Sequence, residues 1–279
     1  MNKHSRAQHA GQPHSIPNVA VVTGGSRGIG KAVCLALAAK GTCCCVNFTS
    51  ETSTALAEAV VQECIQLGSK AFAFRADVSI PADVKALFAA TESELGAVTG
   101  LVNNAAVLGP LTDLLTTSLE DLQRAMAVNV YGVFLCTQEF VRRALVRDPP
   151  NEDNDDAATA SSNEGRGAIV NVSSGSAFIG RPLAYAMTKG ALNSFSAGTV
   201  PQLAELGIRL NSVSPGMTKT EMVSDELIAQ NMEAIPMKRG AEPSEIANAV
   251  VFLLSEEASF VSGGNLRVAG GRRMGSGAQ

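Results

Sequence analysis

The sequence predicts an α/β protein in which helices flank a doubly wound parallel sheet of about seven strands. Three observations predict it. Short apolar runs alternate with helical stretches along nearly the whole chain. The first run, Val19-Ala20-Val21-Val22, leads directly into a glycine-rich turn and then a helical segment, giving the order strand, turn, helix. The composition is aliphatic: 46% of residues are hydrophobic, only 4% are aromatic and Trp is absent, which suits helices packed on a buried parallel sheet.

The elements follow in order. A strand over 19–23 ends in Thr23-Gly24-Gly25-Ser26-Arg27-Gly28-Ile29-Gly30, and a helix over 29–40 stops at Gly41. The strand over 43–48 opens with Cys43-Cys44-Cys45, which read as small apolar fillers. A helix over 52–67, a strand over 71–75, a helix over 81–95 and a strand over 100–103 continue the alternation. One long helix is expected over 118–146, then a strand over 168–172. A helix over 185–206 carries Pro201, which should kink it or end it early. Strands over 208–213 and 265–268 bracket a last helix over 243–255. Such βαβ alternation gives right-handed crossovers and places ligands outside the carboxyl ends of the strands, as in a Rossmann fold.

With 279 residues, one large domain is expected, spanning 18–272 between flexible tails at 1–17 and 273–279. Two segments break the rhythm. Residues 148–166 hold Pro149-Pro150 and no large apolar residue, and read as a solvated insertion. Residues 217–240 follow a strand and contain an amphipathic stretch from Met222 to Met232, as a substrate lid would.

Charge and cysteine usage exclude several classes. The formal net charge is −4, but six acids (Asp148, Glu152, Asp153, Asp155, Asp156 and Glu164) lie within residues 148–164, which hold no Lys or Arg, and the remainder would carry +2. There is no basic patch for nucleic acid. No run of 18 apolar residues occurs, so no membrane span is expected. The six cysteines contain no Cys-x-x-Cys pair; no metal site is expected, and a reducing compartment, the cytoplasm, fits them, with organelle targeting by the acid-free tail at 1–17 as the alternative.

Two motifs carry chemistry. The glycine turn can cradle a dinucleotide phosphate at the start of its helix. Tyr185 and Lys189 are spaced to share one helix face, where an ammonium can lower a phenol pKa that is about 10 when unperturbed. Together they point to a reductase or dehydrogenase. The competing class is a catalytically silent nucleotide sensor or interaction protein on the same fold.

Further ordered motifs are Asp77-Val78, Asn103-Asn104-Ala105-Ala106, Val128-Asn129-Val130-Tyr131-Gly132, Asn171-Val172-Ser173-Ser174, Tyr185-Ala186-Met187-Thr188-Lys189 and Ser214-Pro215-Gly216. With the glycine turn, they make the chain from Val19 to Gly271 resemble the short-chain dehydrogenase/reductase family of the compact classical type. The nearest likeness is to 3-oxoacyl-carrier-protein reductases and glucose or carbonyl reductases. The resemblance implies that Tyr185 donates the proton to a carbonyl oxygen, that Lys189 lowers its pKa and binds the nicotinamide ribose, and that a serine holds the oxygen. It also implies that Asn129 holds a water linking Lys189 to solvent; the plainer reading of Asn129 is a polar residue bonding a helix bend. The serine is Ser174, with Ser173 and Ser176 as alternatives, because the approach through Arg181-Pro182-Leu183 is shorter than the family's.

The same resemblance implies a cofactor site. Gly24, Ser26, Arg27, Gly28, Ile29 and Gly30 form the turn, Asp77 and Val78 flank the adenine, and Asn104, Ala105 and Ala106 line the ribose. Pro215, Gly216, Thr218 and Thr220 complete it, Thr220 at the nicotinamide amide. Charge argues for NADP(H) over NAD(H): the second strand ends without an acid, Thr49 and Ser50 offer hydroxyls, and Arg27 offers a cation to a 2′-phosphate. Ala106 stands where the family often has Gly, and Ala269-Gly270-Gly271 where it often has Asp-Gly-Gly. The substrate pocket is expected from loops 105–114, 175–183 and 217–237, mainly apolar, with Arg181 and Lys219 as anion anchors. The implied partners are a small carbonyl or alcohol substrate and a second copy of the chain, in a dimer or tetramer.

Overall fold

The computed structural model describes residues 16–149 and 165–273. The expected tails at 1–17 and 273–279 and the insertion at 148–166 therefore lie, but for their inner edges, outside the described residues. Seven strands form one sheet: β1 (Val19–Val22), β2 (Cys43–Phe48), β3 (Ala71–Arg75), β4 (Gly100–Asn103), β5 (Gly167–Val172), β6 (Ile208–Pro215) and β7 (Asn265–Val268). Their order is β3-β2-β1-β4-β5-β6-β7, with every neighbouring pair parallel. This is the doubly wound sheet that the alternation predicts, and the order reverses between β1 and β4.

Helices cover both faces. They are α1 (Gly28–Ala38), α2 (Thr54–Gln66), α3 (Pro81–Leu95), α4 (Leu119–Met126), α5 (Gly132–Arg147), α6 (Ser176–Ile179), α7 (Leu183–Glu205), α8 (Asp225–Gln230) and α9 (Pro243–Leu254). Side chains alternate across the strands, so β1 sends Ala20 and Val22 to one core and Val19 and Val21 to the other. The first core is closed by α1, α2 and α9 through Leu37, Val60, Ile246 and Val250. The second is closed by α3, α5 and α7 through Leu87, Phe88, Phe140 and Leu203. The cysteine run obeys the same alternation: Cys44 packs in the first core and Cys45 in the second. Burial raises the Cys44 thiol well above its ordinary value and holds Cys45 up at about 12. These thiols are inert packing groups, and no cluster of ligands able to hold a metal occurs among the described residues.

Two expectations need correction. The single helix over 118–146 is two helices, α4 and α5, joined by a π-turn at Ala127–Tyr131. Tertiary bonds of Asn129, described below, hold this wider turn open. Pro201 does not end α7, which continues to Glu205. The ring removes one backbone donor, but the helix is anchored on both sides of it by buried Leu192, Ser196 and Leu203.

The edges of the insertion are tied together. Arg147 donates to the carbonyl of Arg166 at 2.6 Å, and Arg166 donates to the carbonyl of Asp148 at 2.8 Å. The chain thus leaves α5 and returns to β5 at nearly one point. Exposed Pro201 offers a test of helix tolerance. Pro201→Ala restores the missing amide donor and is expected to stabilise the protein by about 1 kcal/mol, raising Tm by roughly 2–4 °C. A lowered Tm in a thermal melt would show that α7 is shaped around the proline.

Candidate active site

One cavity of about 1630 Å³ opens at the carboxyl ends of the strands, over the crevice between β1 and β4. Its first end is built by the glycine turn. Gly24 and Gly28 adopt φ of 62° and 53°, a region that disfavours side chains. Gly30 is required for space: a Cβ there would lie 2.2 Å from the Gly24 carbonyl oxygen. Thr23 fixes the turn against β4, its hydroxyl donating to the Val102 carbonyl and accepting from the amides of Asn104 and Ala105. The Asn104 side chain donates back to the carbonyls of Thr23 and Gly24. Asn47, buried in β2, accepts from the Gly24 amide and donates to the carbonyls of Phe74 and Ala76.

Helix α1 begins at this turn with no side-chain cap and no acid in its first turn. Its amide donors and dipole are left for an anion. Exposed Arg27 precedes it, and exposed Thr49 and Ser50 stand at the end of β2 on the same cavity wall. The Ser50 hydroxyl also accepts from the Thr52 amide, capping a short helical turn. Asp77 lines the wall beyond, its carboxylate accepting from the Ser79 amide and hydroxyl. The uncapped helix end, the two glycines at positive φ and the unacidic end of β2 fit a phosphorylated dinucleotide.

The other end carries the titratable groups. Tyr185 and Lys189 lie one turn apart on α7, and Ser174 follows β5; all three line the cavity. Burial pushes the Tyr185 phenol up to about 12, and a hydrogen bond with Ser174 pulls against that shift. Lys189 is only 2% exposed. Its ammonium donates to the Val172 carbonyl at 2.7 Å and lies 5.6 Å from the Tyr185 ring centre. Desolvation brings this lysine down to about 8. The expected lowering of the tyrosine by the lysine is therefore not met by the protein's own groups. The ammonium is held on a backbone carbonyl and weakened by burial, and the hydroxyl beside the phenol is that of Ser174. Of the alternatives, the Ser173 hydroxyl is turned to the Lys189 carbonyl, and Ser176 contributes its amide to the Ser174 oxygen.

Asn129 sits in the π-turn, fully buried. Its side-chain oxygen accepts from the Val107 amide, and its nitrogen donates to the Val107 carbonyl and to the Thr188 hydroxyl. Thr188 in turn donates to the Tyr185 carbonyl. This chain joins the loop after β4 to the turn of α7 that bears Tyr185 and Lys189.

The cavity brings together all the sequence-predicted site residues except Gly30, Val78 and Asn129. Gly30 and Asn129 act from behind the wall, and Val78 packs against Gly132, where a Cβ would come within 2.7 Å of it. Lys219 is a correction: it pairs with Glu242 and faces a smaller hollow beside α1, because the chain returns there through its bonds to Ala241. Arg124, from α4, and Arg272, after β7, also line the cavity. They lie outside the loops expected to form it, and an arginine on a helix surface gives no sign in sequence of which way it faces. Asn47 was legible only as the missing acid of β2.

A family model described as short chain dehydrogenase matches residues 18–231. The chain belongs to the short-chain dehydrogenase/reductase family. Within that family it is similar to an uncharacterized oxidoreductase of Escherichia coli, YgfF, at 36% identity over 261 residues covering 91% of this chain and 99% of the relative. It is also similar to a 3-oxoacyl-[acyl-carrier-protein] reductase of Synechocystis, at 34% identity covering 92% and 97%. Among solved structures, a blue fluorescent protein from a metagenomic library, in complex with NADPH, superposes with a TM-score of 0.78 at 32% identity, covering 91% of this chain and 97% of that one. The short-chain dehydrogenase/reductase fold and the cavity over its switch point thus agree.

Lys189 gives a stability test. Its pKa is about 8 in the fold against about 10.4 in an unfolded chain, so between those values the unfolded state binds more protons and this residue's contribution rises with pH. Buried thiols such as Cys45 act in the opposite direction above about pH 8.5, so the comparison must be with a variant. In denaturant titrations, the stability of the parent relative to Lys189→Met is expected to climb from pH 8 to pH 10. A flat difference would mean that Lys189 titrates normally.

Proposed function

We propose that this chain is an NADP(H)-dependent oxidoreductase that interconverts a carbonyl compound and an alcohol. The observation that carries the reading is the convergence of Ser174, Tyr185 and Lys189 on one cavity whose far end is the uncapped start of α1. The nicotinamide, when bound, supplies or accepts the hydride. Tyr185 gives a proton to the developing alkoxide in reduction and takes one in oxidation, and Ser174 orients the oxygen beside the phenol. The Lys189 ammonium supports the phenolate and binds the ribose. Asn129 spends both amide hydrogens on Val107 and Thr188. A water relaying protons to Lys189 would then have only the remaining lone pair of the Asn129 side-chain oxygen, which already accepts from the Val107 amide.

NADP(H) is favoured by Arg27, Thr49 and Ser50 at the end of β2, where no acid waits for a ribose diol. The NADPH complex of the metagenomic relative supports the same choice. The relative from Synechocystis, named for a 3-oxoacyl-carrier-protein substrate, supports a carbonyl as the reacting group. The reading extends to a homo-oligomer in the cytoplasm acting on a small molecule. No helix among the described residues is long and apolar enough to cross a membrane.

Two variants test it. Tyr185→Phe is expected to lower turnover of a carbonyl panel by about 10²- to 10⁴-fold while NADPH binding, followed by fluorescence, changes little. A parent protein that binds NADPH but turns over nothing, in cells or in the assay, would make the chain a sensor. Arg27→Ala is expected to weaken NADPH roughly tenfold and NADH hardly at all. Equal losses for both cofactors would remove Arg27 from the phosphate site.

A further inference from the structure

A cavity of about 1630 Å³ exceeds the range of about 300–1,000 Å³ typical of one small ligand, so it has room for a substrate beside the dinucleotide. Its charges sort by position. Asp77 stands at the adenine end. Glu221 lies beside Gly28, 3.6 Å from where a Cβ there would stand, and so belongs to the turn. Asp113 lines the substrate end, but one carboxylate oxygen accepts from the amides of Leu115 and Thr116 and from the Thr116 hydroxyl. These bonds hold its pKa below the ordinary value, so it acts as the anchor of its own turn.

The arginines at this end are different. Arg272 donates to the neutral amide of Asn231. Arg124 and Arg181 are exposed cavity residues and, among the described residues, have no acidic partner. By contrast, Arg143, Arg147 and Arg239 are each spent on a carboxylate. Arg181 lies just before α7 and four residues before Tyr185, and α4, which bears Arg124, packs against α7. The fold therefore brings two unspent guanidinium groups to the mouth on the Tyr185 side. The same end carries the apolar side chains of Leu111, Leu114, Ile179 and Leu183, of which Leu111 and Leu114 remain 68% and 80% exposed.

Resting on the oxidoreductase reading above, we infer that the physiological substrate is a ketone or alcohol with an apolar body and a distant oxyanion, carboxylate or phosphate, held by Arg124 and Arg181. A planar guanidinium matches either oxyanion through paired hydrogen bonds. These two residues set specificity and do not enter the proton transfer.

The test compares a medium-chain oxo acid, its neutral methyl ester and the matching oxoalkyl phosphate, with NADPH. The parent is expected to favour an anion over the ester by roughly tenfold in kcat/KM, mostly through KM, with the preference shrinking as salt is raised. Whichever of acid and phosphate is preferred identifies the oxyanion. Arg124→Gln with Arg181→Gln is expected to reduce the anion-to-ester ratio roughly tenfold; circular dichroism and NADPH binding verify the fold. Turnover of the ester with no anion preference, or a ratio unmoved in the double variant, overturns this inference and leaves the oxidoreductase reading intact. Calorimetry with the hydroxy-acid product separates the converse: arginine-dependent binding without turnover keeps the anion site and removes the reductase reading. No arginine-dependent binding and no turnover overturns both.

Discussion

The contact on which the site depends is the approach of α1 to the turn that precedes it. With hydrogen alone on Gly30, the helix starts directly against the Gly24 carbonyl and the Asn104 amide. No larger residue leaves room, since a Cβ would meet both that oxygen and that nitrogen well inside van der Waals distance. This closeness lets Asn104 donate to the carbonyls of Thr23 and Gly24, and lets Thr23 clamp the end of β4. The β1 turn, the β4 loop and the start of α1 become one rigid body. Asn47 adds β2 and the end of β3 to it. The helix dipole is thereby aimed at the cavity from a fixed place.

A second network does the same for the proton-bearing end. The π-turn around Asn129 holds the Val107 backbone and Thr188 together, and Thr188 holds the Tyr185 carbonyl. The loop after β4 is therefore shared: Asn104 and Ala105 bond to the glycine turn, and Val107 bonds to the π-turn. Few residues separate the two attachments, so phosphate-cradling backbone and proton-donating side chain are held at one spacing. Burial sets the starting electrostatics. It keeps the phenol protonated and makes the lysine easier to discharge, each against its ordinary value.

Much of this was legible in the sequence for a physical reason. A parallel strand buried on both faces reads as an apolar run, and β1, β2, β3, β4, β5 and β7 fall at or within a residue of their expected ranges. Glycines forced by φ or by contact, and a Tyr and Lys one turn apart, are local signals that survive folding. What stayed hidden depends on partners distant in sequence. The π-turn at Ala127–Tyr131 holds no Gly or Pro to break a helix, and only tertiary bonds to Val107 and Thr188 mark it. The continuation of α7 past Pro201 rests on packing that outweighs one lost bond. Lys219 carried a suggestive charge, but Glu242, brought beside it by the return of the chain, takes it away from the cavity. Arg124 carried the same charge with no sign of its direction.

The clasp between Arg147 and Arg166 has a consequence for how this chain can change over evolutionary time. It closes a loop at the amino-terminal edge of β5, while the cavity opens at the carboxyl edge beyond Val172. Once the two ends of a loop are pinned, doubling its length costs only about 0.6 kcal/mol in closure entropy. The entry into β5 is thus fixed by bonds among Arg147, Asp148 and Arg166 themselves. A change of chain length between the clamps is then expected to cost the fold little closure entropy, which makes this edge of the sheet, away from the cavity, the place to graft a tag or a partner-binding peptide.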